Sequence, residues 1–337
     1  MNTIIIAEAG VNHNGSLDRA IELVRAASRA GADFVKFQTF KAENLVAKSA
    51  PKAEYQKTNC NDGDDSQFEM LRRLELGKDD FVRIAAECRK LGIGFMSTPF
   101  DLDSVDFLAG VGMDYWKIPS GEITNLPILR KIGSQKGKVI MSTGMCTVAE
   151  VEQAVKVVNK AGTPLHNIIL LHCTTQYPAP FDSVNLHAMK VLERLGCGGV
   201  GYSDHTEGIA VPVAAVALGA KVIEKHFTLD RNLPGPDHKA SLEPDELERM
   251  VREIRQVEQA LGREDKSVTE AEKSNIPIAR KSVVAAKFIK KGEIFTEDNL
   301  TCKRPGGGVS PMLWDDIIGK IAPADFSPDD MIFYEQP

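Results

Sequence analysis

Eight short apolar runs, each stopping at polar residues, recur through the first 226 positions of the 337-residue chain. They fall at 3–7, 34–37, 93–96, 115–118, 138–141, 168–171, 199–202 and 221–224. Most are followed by residues at helical spacing. Leu17, Ile21, Val24 and Ala27 share one face, Ser16 stands where an N-cap belongs, and Gly31 supplies a stop. Comparable helices are predicted at 79–91, 101–109, 148–161 and 211–218. Strands alternating with helices imply parallel pairing, because parallel neighbours need a crossover connection. Eight such units in about 225 residues match an α/β chain folded as a (β/α)8 TIM barrel. A doubly wound sheet is the rival, but no G-x-G-x-x-G turn follows the first run.

Composition narrows the function classes. Hydrophobic residues make up 43% and charged residues 26%, enough for a large packed core. With 41 Lys+Arg against 47 Asp+Glu the net charge is −6, and no basic cluster stands out, which argues against a nucleic-acid partner. No apolar run approaches the roughly 18 residues of a membrane span, and the N-terminal stretch lacks a basic leader, so we expect no membrane attachment and a cytoplasmic location. The six cysteines (Cys60, Cys88, Cys146, Cys173, Cys197, Cys302) form no C-x-x-C pair, which fits a reducing compartment. One connection is out of proportion. Between Phe40 and Asp79 lie Glu54, Tyr55 and Gln56, an acidic turn of Asp62, Gly63, Asp64 and Asp65, and an amphipathic piece with Phe68, Leu71 and Leu74. An insertion this long reads as a lid or binding element, with a plain surface excursion as the alternative.

In such barrels the chemistry sits at the carboxyl ends of the strands. Here those ends carry Glu8, Lys36 and Gln38, Ser97 and Thr98, Lys117 and Ser120, Ser142 and Thr143, then polar stretches at 172–175, 203–205 and 224–226. His205 and His226 fall on neighbouring strands, roughly 5 Å apart. Both imidazoles can reach one divalent ion, with Glu8 on strand one closing the ring beside them. Spacing alone leaves a purely structural histidine pair open. Two imidazoles with acidic or water ligands favour Mn, Fe or Zn over Mg. Across the mouth, Lys36, Lys117, Ser120, Ser142 and Ser203 offer ammonium and hydroxyl groups suited to a phosphate. A lysine inside an apolar strand is costly to bury without a charged partner, and an anionic ligand would relieve that cost.

Longer strings carry more information than single residues. They are Ala7-Glu8-Ala9-Gly10-Val11-Asn12-His13-Asn14-Gly15, Val35-Lys36-Phe37-Gln38, Ser97-Thr98-Pro99-Phe100, Lys117-Ile118-Pro119-Ser120-Gly121-Glu122, Ser142-Thr143-Gly144-Met145, His172-Cys173-Thr174-Thr175-Gln176-Tyr177-Pro178, Ser203-Asp204-His205-Thr206, Glu224-Lys225-His226-Phe227 and Gly235-Pro236-Asp237-His238. Together they resemble the bacterial sialic acid (N-acetylneuraminate) synthases over essentially the whole chain. The resemblance implies condensation of phosphoenolpyruvate with an N-acetylated amino sugar such as N-acetylmannosamine, with phosphate released by C–O cleavage. It implies His205 and His226 as ligands of a divalent metal, Mn(II) first and Mg(II) or Co(II) as alternatives, with Glu8 as the carboxylate on the metal side. It further implies Lys36, Thr98, Lys117, Ser120, Ser142 and Ser203 as phosphoenolpyruvate-binding positions, and Gln38, Glu122, Tyr177 and Asp237 as positions near the sugar. Where some members carry Asn, this chain has Thr175, and no role is carried over to it. The string 174–180 also resembles relatives that make N,N'-diacetyllegionaminate from a 2,4-diacetamido-2,4,6-trideoxymannose, so both sugars stay open.

After Pro244 the pattern changes. Leu247, Met250, Val251, Ile254, Val257 and Leu261 form an amphipathic helix ending at Gly262, which closes a catalytic domain at 1–262. Residues 263–280 read as a polar linker. Residues 281–337 form a small module with strand-like pieces at 282–285 and 293–295 and a turn at Arg304-Pro305-Gly306. Its core is marginal by size alone. The resemblance identifies it as an antifreeze-like (SAF) domain. It also implies a domain-swapped homodimer in which Arg304 reaches the partner's sugar site. Two rivals remain: a Schiff-base aldolase on Lys117, and a non-enzymatic ice or carbohydrate binder, which leaves the polar strand ends unexplained.

Overall fold

The computed structural model describes residues 2–60 and 63–334, so Asp62 of the acidic turn and the last three positions of the C-terminal module lie outside the described residues. Eight strands carry the first unit: β1 (Ile4–Gly10), β2 (Phe34–Thr39), β3 (Gly94–Pro99), β4 (Tyr115–Ile118), β5 (Lys138–Ser142), β6 (Ile168–Cys173), β7 (Gly199–Asp204) and β8 (Val222–His226). They follow the order β3-β2-β1-β8-β7-β6-β5-β4, every pair parallel, and β3 and β4 face each other across the seam of a nearly closed barrel. Among the described residues its α-helices are α1 (Leu17–Arg29), α2 (Ala42–Leu45), α3 (Glu54–Cys60), α4 (Gln67–Leu74), α5 (Lys78–Leu91), α6 (Leu102–Val111), α7 (Leu126–Ser134), α8 (Val148–Ala161), α9 (Ala188–Glu193), α10 (Ala210–Ala217) and α11 (Pro244–Leu261). The start and stop of α1 follow its expected signals: Ser16 Oγ accepts from the Arg19 N–H, and Gly31 takes a left-handed φ of 79°.

Strands run about two residues past the ends expected from the apolar runs, as in β2, β7 and β8. A polar residue ends an apolar run without ending a hydrogen-bonded ladder. The alternation of strand side chains explains why these residues are polar. Ile6, Met96, Ile140, Leu171 and Val222 fill one apolar layer inside the barrel. Two residues further on, the same strands present Glu8, Thr98, Ser142, Cys173 and Glu224, all buried. A charged layer thus rests on an apolar plug, while Ile5, Val35, Phe37, Met141, Leu170 and Ile223 face outward into the core shared with the helices.

The chain divides into two compact units at Gly262 and Arg263. Residues 263–280, expected as a linker, belong to the second unit and carry two one-turn helices, Glu270–Lys273 and Ile276–Ala279. Its sheet pairs β9 (Ser282–Ala285) with β10 (Leu300–Lys303) in antiparallel register. The expected piece at 293–295 makes only the bridge from Ile294 to Ile321, because Phe295 alone is buried there and Ile294 is exposed. β10 escaped the sequence reading because its residues after Leu300 are polar or half-exposed. Val283, Ala285, Ile289, Phe295, Leu300, Ile317 and Phe326 form most of this unit's own core. Among the described residues, no helix is long and apolar enough to cross a membrane.

Candidate active site

The charged layer is a network of two lysines and two carboxylates. Lys36 Nζ lies 2.6 Å from Glu8 Oε2 and 3.7 Å from Glu224 Oε2, and donates to Thr98 Oγ1 at 3.2 Å. Lys117 Nζ donates to Ser142 Oγ at 2.6 Å and lies 3.4 Å from Glu224 Oε1. Ser203 Oγ donates to the same Glu224 oxygen at 3.1 Å, and Gln38 Nε2 donates to Glu8 Oε1 at 3.3 Å.

This arrangement gives the buried charges their partners. The Glu8 side chain is engaged by Lys36 and Gln38, and its backbone pairs with His226 on β8. The two lysines do not depend on a ligand for their counter-charge, because Glu8 and Glu224 supply it. Glu224 was missed as a site residue. The available signal was period-two alternation: 224 and 226 share the inward face of β8, and 225 faces away.

Burial pushes Glu8 up to about 7, with Lys36 opposing and Glu224 adding to the rise. Burial also pushes Glu224 up, but Lys117 and Lys36 together outweigh it and hold this carboxyl below its ordinary value. For Lys36 the downward pull of burial is overcome by Glu224 and Glu8, whereas at Lys117 burial wins and the ammonium is weakened. A carboxyl near neutrality beside a stable ammonium is equipped to exchange a proton at physiological pH.

The imidazoles stand at the rim. The His205 and His226 rings are 5.5 Å apart, and Tyr177 packs on His205 at 4.2 Å and edge-on to His226 at 5.8 Å. Tyr55 of α3 stacks on Tyr177 at 5.2 Å. His205 Nδ1 meets the Thr174 carbonyl at 2.5 Å, which assigns the proton to Nδ1 and leaves the Nε2 lone pair free. His226 Nδ1 is buried with no hydrogen-bond partner. Burial holds both imidazoles below their ordinary pKa, so both are neutral, the form that ligates a metal. This donor chemistry fits a divalent ion. Among the described residues no cluster of three or more His, Cys, Asp or Glu side chains forms a cage. His205 and His226 are the residues that would hold such an ion.

The remaining candidates are spread around this centre. Ser120 accepts from the Gly144 N–H at 2.9 Å, and a Cβ on Gly144 would come within 2.6 Å of Thr175 Cγ2 and 3.0 Å of Ser120 Oγ, so this close approach requires glycine. Glu122 accepts from Asn125 Nδ2 at 2.5 Å and makes no hydrogen bond to the lysine network. Asp237 lies 3.9 Å from His226 Nδ1. Its loop is tied to the segments that follow β8 and β1: His238 Nδ1 meets Thr228 Oγ1 at 2.7 Å, His238 Nε2 meets Asn14 Oδ1 at 3.2 Å, and Asn12 Nδ2 donates to the Phe227 carbonyl at 2.9 Å. These contacts give Asn12 and Asn14 a structural task that the motif reading left open. Arg304 lies in the second unit, exposed, with its Nε donating to the Ala279 carbonyl at 2.9 Å.

Burial raises Asp237 from 3.8 to about 6. A carboxyl raised on folding favours the folded state most below its unfolded pKa, and that contribution is lost as pH rises through the folded value. In the metal-free protein, Asp237→Asn is therefore expected to raise Tm near pH 7.5, with the difference shrinking as pH falls from about 6 to 4. Thermal unfolding across that range checks this, and a pH-independent difference would rule out the carboxylate as its source.

The fold defines the class of protein: a (β/α)8 barrel with ionisable side chains gathered at the carboxyl ends of its strands, and a second, smaller unit after it in the chain. The chain belongs to the NeuB family, whose sequence profile matches residues 23–266, and the SAF domain profile matches 280–336. It is 54% identical over 331 residues to the N,N'-diacetyllegionaminic acid synthase of Campylobacter jejuni subsp. jejuni serotype O:2, covering 98% of each chain. It is 46% identical over 337 residues to the N,N'-diacetyllegionaminic acid synthase of Legionella pneumophila subsp. pneumophila, covering 99% of this chain and 94% of that one. The crystal structure of N-acetylneuraminic acid (sialic acid) synthetase from Leptospira borgpetersenii serovar Hardjo-bovis matches with a TM-score of 0.73 at 34% identity, covering 82% of this chain and 90% of that one.

Proposed function

We propose that this chain is a nonulosonate synthase that condenses phosphoenolpyruvate with 2,4-diacetamido-2,4,6-trideoxymannose and water, giving N,N'-diacetyllegionaminate and inorganic phosphate. The observation that carries the reaction type is the buried lysine–carboxylate network beside a pair of neutral imidazoles at the barrel mouth. The choice of sugar over N-acetylmannosamine is supported by the two legionaminic acid synthases at 54% and 46% identity.

In this reading Lys36 and Lys117, with Thr98, Ser120, Ser142 and Ser203, bind the phosphate and carboxylate of phosphoenolpyruvate. Glu224, anchored by Ser203, keeps both ammonium groups aimed at the mouth before the anion arrives. His205 and His226 would hold the divalent metal, Mn(II) in first place. When bound, such an ion supplies Lewis-acid polarisation of the sugar's aldehyde oxygen. C3 of phosphoenolpyruvate forms a bond to the aldehyde carbon, whose oxygen takes up a proton, water adds at C2, and the C2–O bond to phosphate breaks, that oxygen leaving in inorganic phosphate as C2 becomes a carbonyl. Glu8 takes the proton from that water, a task suited to a carboxyl near 7. Gln38, Glu122, Tyr177 and Asp237 orient the sugar. The reading includes a cytoplasmic homodimer in which Arg304 binds the sugar's N-acetyl group.

Phosphate release from phosphoenolpyruvate and Mn(II), compared between the diacetamido sugar and N-acetylmannosamine, tests the proposal. Release with the first sugar is expected, and release with neither would overturn it. Chelation should abolish release, with Mn(II) restoring it, whereas borohydride trapping of Lys117 would revive the aldolase alternative. Arg304→Ala is expected to raise the sugar KM about tenfold or more, as for a lost charge-assisted hydrogen bond of about 1.5–3 kcal/mol, with the phosphoenolpyruvate KM unchanged. Steady-state kinetics with each substrate varied in turn would show it, and an unchanged sugar KM would remove Arg304 from the site.

A further inference from the structure

The long connection between β2 and α5 encloses a chamber of about 300 Å3. Its floor is polar, where Gln38, His226 and Asp237 border it. Its walls are not: Leu45, Val46, Met70, Leu71, Leu74 and Phe100 face it. They are backed by an apolar cluster of Val11, Phe40, Met70 and Leu74 that does not belong to the barrel's main core. The Gln56 amide of the wall is committed to the segment itself. Gln56 Oε1 accepts from the Ala53 N–H at 2.9 Å and from Gln67 Nε2 at 3.5 Å, and Gln56 Nε2 donates to the Tyr55 hydroxyl at 3.4 Å. Asn59 Nδ2 donates to the Pro236 carbonyl at 2.7 Å, tying the segment to the loop that carries Asp237. A chamber wet at the imidazole end and apolar at the other suits a ligand with the same polarity.

We propose that this chamber selects the sugar at its C4–C6 end, with Val46 and Leu71 as specificity-determining residues that accept a C6 methyl and the methyl of a 4-acetamido group. The inference rests on the nonulosonate synthase reading above and deepens it. A methyl placed against Val46 and Leu71 leaves water favourably, whereas a hydroxyl placed there gives up water partners that neither side chain can replace. An apolar pocket discriminates by roughly 10- to 200-fold for one such group. The long connection therefore does more than shield the mouth, because its own side chains read the part of the sugar furthest from the reacting carbon.

The test compares two sugars that differ only at C6: 2,4-diacetamido-2,4,6-trideoxymannose and its 6-hydroxy counterpart. The ratio of their kcat/KM values should favour the 6-deoxy sugar by about 100-fold in the unaltered protein. Val46→Thr is nearly isosteric, Leu71→Asn keeps the branching at Cγ in a smaller side chain, and both place a polar group in the wall. Both residues are only partly buried and lie on separate segments, and thermal unfolding checks that each variant folds. Each should lower the ratio about tenfold, with the phosphoenolpyruvate KM unchanged, and Val46→Ile should keep it. An unchanged ratio in both folded variants, or an equal loss on both sugars, overturns the proposal and leaves the reaction intact. No phosphate release from the unaltered protein with any of these sugars overturns the underlying reading as well.

Discussion

Replacing His226 with alanine is expected to lower kcat/KM by about three orders of magnitude, with thermal unfolding close to that of the unaltered chain. Lewis-acid assistance is worth several kcal/mol, and each ~1.4 kcal/mol is a factor of ten in rate. The fold should tolerate the change because the ring faces the chamber, and its Nδ1 has no hydrogen-bond partner to lose. Mn(II) affinity, followed by titration calorimetry without substrate, should fall in parallel. Unchanged Mn(II) affinity, or a loss of activity below tenfold, would remove His226 from the proposed metal pair. His205→Ala should behave alike, with the added loss of the bond to the Thr174 carbonyl.

The second large effect is on stability and comes from the other face of the same strands. Lys225 and Asp204 are both fully buried, and Lys225 Nζ donates to Asp204 Oδ2 at 2.5 Å and to the Thr206 carbonyl. Thr206 also returns a hydroxyl hydrogen bond to Asp204 at 3.0 Å. Lys225→Met leaves Asp204 buried without its cation, which costs about 3–5 kcal/mol. In a unit of this size that lowers Tm by roughly 10 °C. The double variant Lys225→Met with Asp204→Leu removes both charges and should recover most of the loss, since a buried ion pair replaced by apolar groups is often neutral. A single variant as stable as the unaltered chain would show that the pair is dispensable. The pair joins β7 to β8 where His205 and His226 emerge, so it fastens the two strands that carry the imidazoles.

Some of this architecture was legible residue by residue. The alternation of apolar runs with helical faces specified eight parallel units, since short apolar runs and amphipathic spacing are local properties of the chain. Ser16 and Gly31 marked the ends of α1 for the same reason. The polar strand ends were correctly placed at the mouth, but their partners were not. Lys36 looked like a cation waiting for an anionic ligand, and only the side-by-side pairing of β2, β1 and β8 brings Glu8 and Glu224 to it. Glu224 was overlooked beside the more conspicuous His226, although alternation places both on one face. Lys225 looked like another polar strand end, and its burial against Asp204 depends on helices packing over that face. β10 was missed because its residues after Leu300 are polar or half-buried and carry no apolar pattern.

By itself the sequence determined the barrel's rhythm, the side of the barrel that carries reactive groups and, through its longer strings, the resemblance to a synthase family. Those properties are encoded in periodicity and in short segments. Tertiary structure alone decided which charges meet, which imidazole proton is committed, and that the long connection walls an apolar chamber above Asp237. Each of these depends on groups far apart in the chain, such as Glu8 and Glu224 or Asn59 and Pro236, brought within a few ångströms by the closure of the sheet. Local spacing carries no record of that closure, and at these distances burial and charge pairing set the chemistry.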